Sequence, residues 1–278
     1  MTNRQTYLNF FREIIRRFSR HQVAGLAAEL AFFFLLSLFP FLIFLFTLLG
    51  FLPISAEEVL QLVSQYAPGN TMAFIESYVR SVVDTQSGKL LSLGIIGTLW
   101  SASNGINAIV RALNRAYNVE ETRNFLVARG MAIVLTFAMI FVIIFALLLP
   151  VFGREIGLFI SSVFGLSSMF LTVWNTMRWL VSFVILCIVF CGLYFLAPNK
   201  RVKVTEIYPG ALFATVGWIV VSLAFSSYVG NFGHYSVTYG SLGGVIVLLI
   251  WFYLSGFIII LGGEINAIMY QRYHQIPS

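Results

Sequence analysis

Apolar residues run along this chain in six stretches, each long enough for a helix to cross a bilayer: about 26–51, 90–112, 131–152, 179–197, 207–229 and 241–267. Backbone in lipid must satisfy its own N–H and C=O groups, so stretches of this length predict helices. The expected fold class is all-α: a polytopic six-transmembrane-helix bundle over residues 24–270, after a basic amphipathic segment at 1–23 and before a tail at 271–278. A seventh apolar stretch, Ile156 to Trp174, is broken by Gly157, Gly165 and several serines, which predicts an interfacial or re-entrant segment rather than another span.

Composition agrees with this map. Hydrophobic residues make up 59% of the chain and charged residues 10%, against roughly one quarter charged in soluble domains, which argues against a water-soluble enzyme. The first apolar run is as long as a full span and lacks a small-residue cleavage site, so it reads as a retained helix rather than a signal peptide. Cys187 and Cys191 lie four apart in one run, where the rise of a helical turn disfavours a disulfide.

Charge then orients the bundle. Arg4, Arg12, Arg16, Arg17, Arg20, Arg111, Arg115, Arg123, Arg129, Lys200, Arg201, Lys203 and Arg272 fall on one side, and only Arg80, Lys89, Arg154 and Arg178 on the other. The positive-inside rule puts the first group, and both termini, in the cytoplasm; the expected location is a bacterial cytoplasmic membrane. Seven spans would invert part of this pattern. Tyr7, Phe11, Ile14, Ile15 and Phe18 recur at helical spacing with Arg12, Arg16 and Arg20 on another face, so the N-terminal segment is expected either to lie along the anionic inner leaflet or to serve as a plain basic anchor. The first outside loop, 55–88, reads as two amphipathic helices: Ser55 and Glu58 fit a capping box, Pro68 and Gly69 break the chain, and Asn70 or Thr71 starts the second.

Polar groups inside spans carry the candidate chemistry. Ser101, Asn104, Asn107, Arg111 and Asn114 recur at three-to-four spacing on the second span, with Arg115 beside them, and this stripe is expected to point into the bundle as a polar pathway. Two acids, Glu29 and Glu264, lie within the first and sixth spans at the same depth as Arg111 and Arg115, with which they are expected to pair. A functional role and a purely structural ion pair remain equally open for each acid. Small residues four apart (Ala24 and Ala28, Ala27 and Ala31, Gly210 and Ala214, Gly240 and Gly244), with Gly256 and Gly263, predict close helix packing. They permit a homo-oligomer without requiring one. Pro40 is a candidate kink beside Ser37.

Four stretches together resemble the YihY/BrkB family of bacterial inner-membrane proteins, some long labelled ribonuclease BN: AAELAFFFLLSLFP (27–40), LWSASNGINAIVRALNRAYNVEETR (99–123), LAPNKRV (196–202) and YGSLGGVIVLLIWFYLSGFIIILGGEINA (239–267). The resemblance runs end to end. It implies a six-helix membrane protein with lipid or envelope-related transport among its suggested roles, and motif positions at Ser37, Pro40, Asn104, Arg111, Asn114, Arg115, Tyr117, Glu120, Arg123, Tyr239, Gly240, Glu264 and Asn266. Phe32 departs from it, since many members have Tyr there.

The ribonuclease label finds no chemistry in the residues. His21, His234 and His274 are scattered over both sides, whereas metal-dependent hydrolysis uses clustered His, Asp and Glu, and no aromatic-basic platform for nucleic acid is present. His234 lacks an orienting partner in sequence, and no Walker-type loop occurs. The expectation is therefore no enzyme, no cofactor, no metal and no nucleic-acid partner. The leading reading is a transporter or flippase-like handler of an anionic lipid or lipid-linked envelope precursor, with membrane lipids as partners. Two rivals stay open: a scaffold for envelope-synthesis proteins acting through residues 111–123, and a small-solute or ion transporter.

Overall fold

The structure, a computed structural model, describes residues 3–49, 88–232 and 242–274, with the single positions 57, 60 and 76. The calls at Ser55, Glu58, Pro68, Gly69, Asn70, Thr71, His234, Tyr239 and Gly240 lie outside the described residues. Seven helices run through the described residues: α1 (Asn3–Arg20), α2 (Val23–Leu49), α3 (Gly88–Ala116), α4 (Phe125–Phe164), α5 (Ser168–Leu196), α6 (Val204–Phe232) and α7 (Leu242–Tyr273). Five segments among the described residues are long and apolar enough to cross a membrane: Val23–Phe44, Gly88–Ala116, Met169–Leu196, Val204–Tyr228 and Gly243–Tyr273. In α4 the apolar stretch so identified is Phe125–Ala138, while the helical backbone continues to Phe164.

The expected break at Gly157 within 156–174 is corrected here. Gly157 does not break α4, because it supplies room: a Cβ there would run into the Trp174 indole of α5. Gly165 is the break. It takes φ 63°, the left-handed region where glycine has no Cβ penalty, and Leu166 N–H returns to Ser161 O at 3.0 Å. The stretch is thus the tip of a helical hairpin, and α4, at 40 residues, is about 60 Å long by its rise per residue. Its start is fixed by Asn124, whose side chain accepts the Val127 N–H at 2.8 Å.

Around the bundle, each of α2 to α7 packs on the next and α7 returns to α2, closing a ring that α7 also crosses to touch α3. Lipid tails are as apolar as the helices, so association here rests on close packing rather than on expelling water. A Cβ on Gly94 would lie 2.8 Å from the Phe44 Cα, which brings α2 and α3 nearly backbone to backbone. Gly256 does the same for α7 and α2, where its Cβ would stand 3.2 Å from that of Leu30, and Gly210 lies against the Gly262 carbonyl of α7. Of the two alanine pairs, Ala27 and Ala31 are buried while Ala28 is exposed. Pro40 sits inside a continuous α2 and packs on Gly97 of α3; one turn earlier Ser37 Oγ donates to Phe34 O at 2.7 Å. Cys187 and Cys191 are free thiols.

Short α1 lies against α7 and α2, turned back by Gln22 in the left-handed region (φ 55°). Phe18 faces inward, 5.7 Å from the Phe257 ring, while Phe11 and Ile15 are exposed beside Arg12, Arg16 and Arg20.

Candidate functional site

The basic end of the bundle holds nearly all the polar chemistry, in three separate places. The first is buried around Glu264 of α7, whose side chain is 1% exposed. Its carboxylate meets His21 Nδ1 at 2.6 Å and accepts from Arg17 Nη1 at 3.4 Å. Arg17 also donates to Ala116 O (3.0 Å) at the end of α3, to Gln271 and to Glu13 (2.9 Å). Burying charge in a bundle is tolerated only when it is paired and hydrogen-bonded, and this cluster ties α1, α3 and α7 together. Glu264 was expected to pair with Arg111 or Arg115; it pairs instead with α1, because α1 folds back under α7 and gets there first.

The second place is the junction of the α3–α4 and α5–α6 loops. Asn114 accepts from Asn199 N–H at 2.6 Å and donates to Glu121 at 2.9 Å. Asn199 in turn donates to Glu120 O and Thr122 Oγ1. Arg123 donates to Ala197 O at 3.0 Å and to Asn199 Oδ1 at 3.3 Å, contacts the Met131 sulfur, and lies 3.2 Å from Glu121. Glu120 takes part through its carbonyl, not its carboxylate. Nearby, Glu206 caps its own helix through Lys203 N–H (2.8 Å) and meets His274 at 2.9 Å, and Asn266 accepts the Gly210 N–H at 2.7 Å. Tyr117 stands against Tyr270 at 5.8 Å with a buried hydroxyl that has no partner, and burial, helped by the charge of Glu206, raises its pKa.

The third place is one long side of α3, and it departs from the expected inward stripe. Ser101 is buried, on the side that packs on α2, and Asn114 belongs to the loop junction. Asn104 and Asn107 are only half-buried, and the Arg111 side chain is 52% exposed. They share a helix face with Trp100, which is 61% exposed. The reason is that Gly94, Gly97 and Gly105 draw the adjoining face of α3 onto α2 and leave the larger polar side chains at the edge of that contact. Arg111 pairs with Glu29 of α2. Arg115, exposed, reaches back to the His21 carbonyl at 3.3 Å. Arg129 of α4 completes the row: it lies 4.1 Å over the Trp100 ring and donates to Asn104 Oδ1 at 2.7 Å.

Several of these groups were not singled out from sequence. Arg17 and His21 were read as topology charge and scattered histidine, although their four-residue spacing puts them on one helix face. Asn199 and Arg129 carry no local signal, since their partners come from other helices. Among the described residues no group of three His, Cys, Asp or Glu side chains gathers as a metal site.

No solved structure matches the chain. Among proteins of known sequence, it is 56% identical over 265 residues to YfkH of Bacillus subtilis (strain 168), named a ribonuclease-like protein, covering 95% of this chain and 96% of that one. It is 30% identical over 280 residues to a UPF0761 membrane protein of Vibrio cholerae serotype O1 (98% and 90% covered) and 28% identical over 274 residues to one of Vibrio campbellii (95% and 83% covered). The family described as Virulence factor BrkB matches residues 14–277, a reach that takes in α2 to α7 and all three polar places, and the chain belongs to this family of integral membrane proteins.

Proposed function

We propose that the protein carries an anionic lipid, or a lipid-linked envelope precursor, along the exposed side of α3, with the basic end of the bundle at the cytoplasmic leaflet. One observation carries this reading: Asn104, Asn107 and Arg111 lie on a face of a membrane-crossing helix that is open rather than enclosed. Lipid tails solvate such groups poorly, and intramembrane polar residues are costly unless something polar meets them. Arg129 meets Asn104 and Glu29 meets Arg111, and a headgroup moving along the helix exchanges with these contacts, its tails left in the bilayer. A solute pore needs the same residues inside the ring, so the geometry favours the lipid reading.

The test is transbilayer exchange of fluorescent phospholipids in liposomes holding the purified protein, followed by dithionite bleaching beside protein-free and unrelated-protein controls. Wild type is expected to accelerate exchange, and Asn104→Leu and Arg111→Ala to lose most of the acceleration. Exchange no faster than the controls removes passive lipid passage by this route.

A further inference from the structure

The two arginines at the basic end of α3 are held apart in a specific way. Arg115 is drawn to the His21 carbonyl, just before α2, and Arg111 to Glu29 on α2. Position 29 stands one turn beyond Gly25 on α2, and position 21 lies in the turn that leads into the helix just before it. Gly25 is exposed, and a Cβ there would meet nothing within 4 Å. A side-chain-free notch on the exposed surface of α2 is therefore bracketed by the anchor points of two exposed guanidinium groups, Arg115 at the His21 carbonyl and Arg111 at Glu29. With Glu29 counted, the rim carries a net single positive charge, matching the single negative charge of a phosphodiester. Phe32, Leu36 and Phe39 continue along the same side of α2 at helical spacing, all exposed, and form an apolar track leading away from the notch.

We propose that this notch seats the phosphodiester of an anionic phospholipid, with Arg111 and Arg115 as forked donors to its oxygens and an acyl chain along Phe32, Leu36 and Phe39. The proposal deepens the lipid-handling reading and rests on it for the kind of occupant. Gly25 is the specificity element, because any larger residue fills the space that the phosphate takes. Glu29 holds Arg111 in place when the notch is vacant.

Full-length protein in lipid nanodiscs, analysed by native mass spectrometry, reads lipid retention directly. Phosphatidylglycerol is expected to be retained over phosphatidylcholine, and Gly25→Leu and Arg115→Gln each to reduce that retention by about tenfold or more, the loss of one good charged contact. Gly244→Leu, also at an open glycine, should leave it unchanged. Unchanged melting midpoints show that the variants fold. Equal retention of the two lipids, or undiminished retention in both variants, overturns the proposal. Displacement by inorganic phosphate, without preference for phosphatidylglycerol, overturns the lipid occupant and assigns the notch to free phosphate. Retention lost in Gly25→Leu alongside exchange no faster than controls upholds the site and sinks the transport reading; accelerated exchange with retention intact does the reverse.

Discussion

His21 Nδ1 lies 2.6 Å from Glu264 Oε1, joining the turn after the first helix to the last helix of the chain. Arg17 shares that carboxylate, so one acid neutralises a charge delivered from α1. Removing the acid leaves Arg17 with Glu13 and its neutral acceptors and takes the buried partner from His21. Glu264→Ala is expected to destabilise the protein by about 1–3 kcal/mol, the usual cost of a buried polar group left unsatisfied, read as a fall in melting midpoint in detergent. Arg17→Met with Glu264→Leu should recover much of the loss, and no recovery would mean that the pair does more than neutralise itself.

Gly210 and Gly244 separate packing from helix propensity. Alanine is the better helix former by about 1 kcal/mol, so Gly244→Ala, with open space around it, should be neutral or stabilising. Gly210→Ala drives a methyl into the Gly262 carbonyl and Asn266, and overpacking costs about 1–3 kcal/mol. Opposite signs in the two melting shifts are the expected result.

Tyr117 gives a less intuitive expectation. Its hydroxyl is buried without a partner, and an unsatisfied buried group costs about 1–3 kcal/mol. Tyr117→Phe keeps the ring against Tyr270 and discards the cost, so the melting midpoint should hold or rise. A clear fall would mean that the hydroxyl is engaged in the native protein.

Acid should loosen α1. Burial alone raises the Glu13 carboxyl, but hydrogen bonds and charge from Arg17 and Arg16 outweigh it, and its pKa lies below the ordinary 4.5. A carboxylate depressed on folding contributes stability above its unfolded pKa and loses it as pH falls through the folded one. Protease cleavage near Arg12 and Arg16 should therefore increase as the pH drops below about 4.5, the ordinary carboxylate value, and Glu13→Gln should be cleaved readily at neutral pH as well.

Much of the helix map was legible in sequence because long apolar runs have few alternatives in lipid. Span ends were less so. Gly157 reads as a breaker in one dimension and turns out to be the seat of Trp174, a partner from the next helix. The α3 polar stripe was visible by spacing, and Ser101 and Asn114 are buried as expected, but Asn104 and Asn107 are half-buried and Arg111 is exposed, because the glycines that set which face meets α2 act through a second helix. Glu29 and Arg111, expected at one depth, meet. Glu264, expected at the same depth, pairs with Arg17 and His21 instead, because α1, which no hydropathy pattern places, lies against α7.

The length of α4 has a consequence of its own. Transmembrane helices lean by up to about 40°, and at that lean a rod of about 60 Å still rises some 45 Å, against a hydrocarbon core of about 30 Å. An α4 that crosses the bilayer therefore emerges from the oily layer at the Phe125 end or at the hairpin tip with exposed Phe159, Phe164 and Met169. In either placement it presents greasy side chains to the headgroup zone or to water.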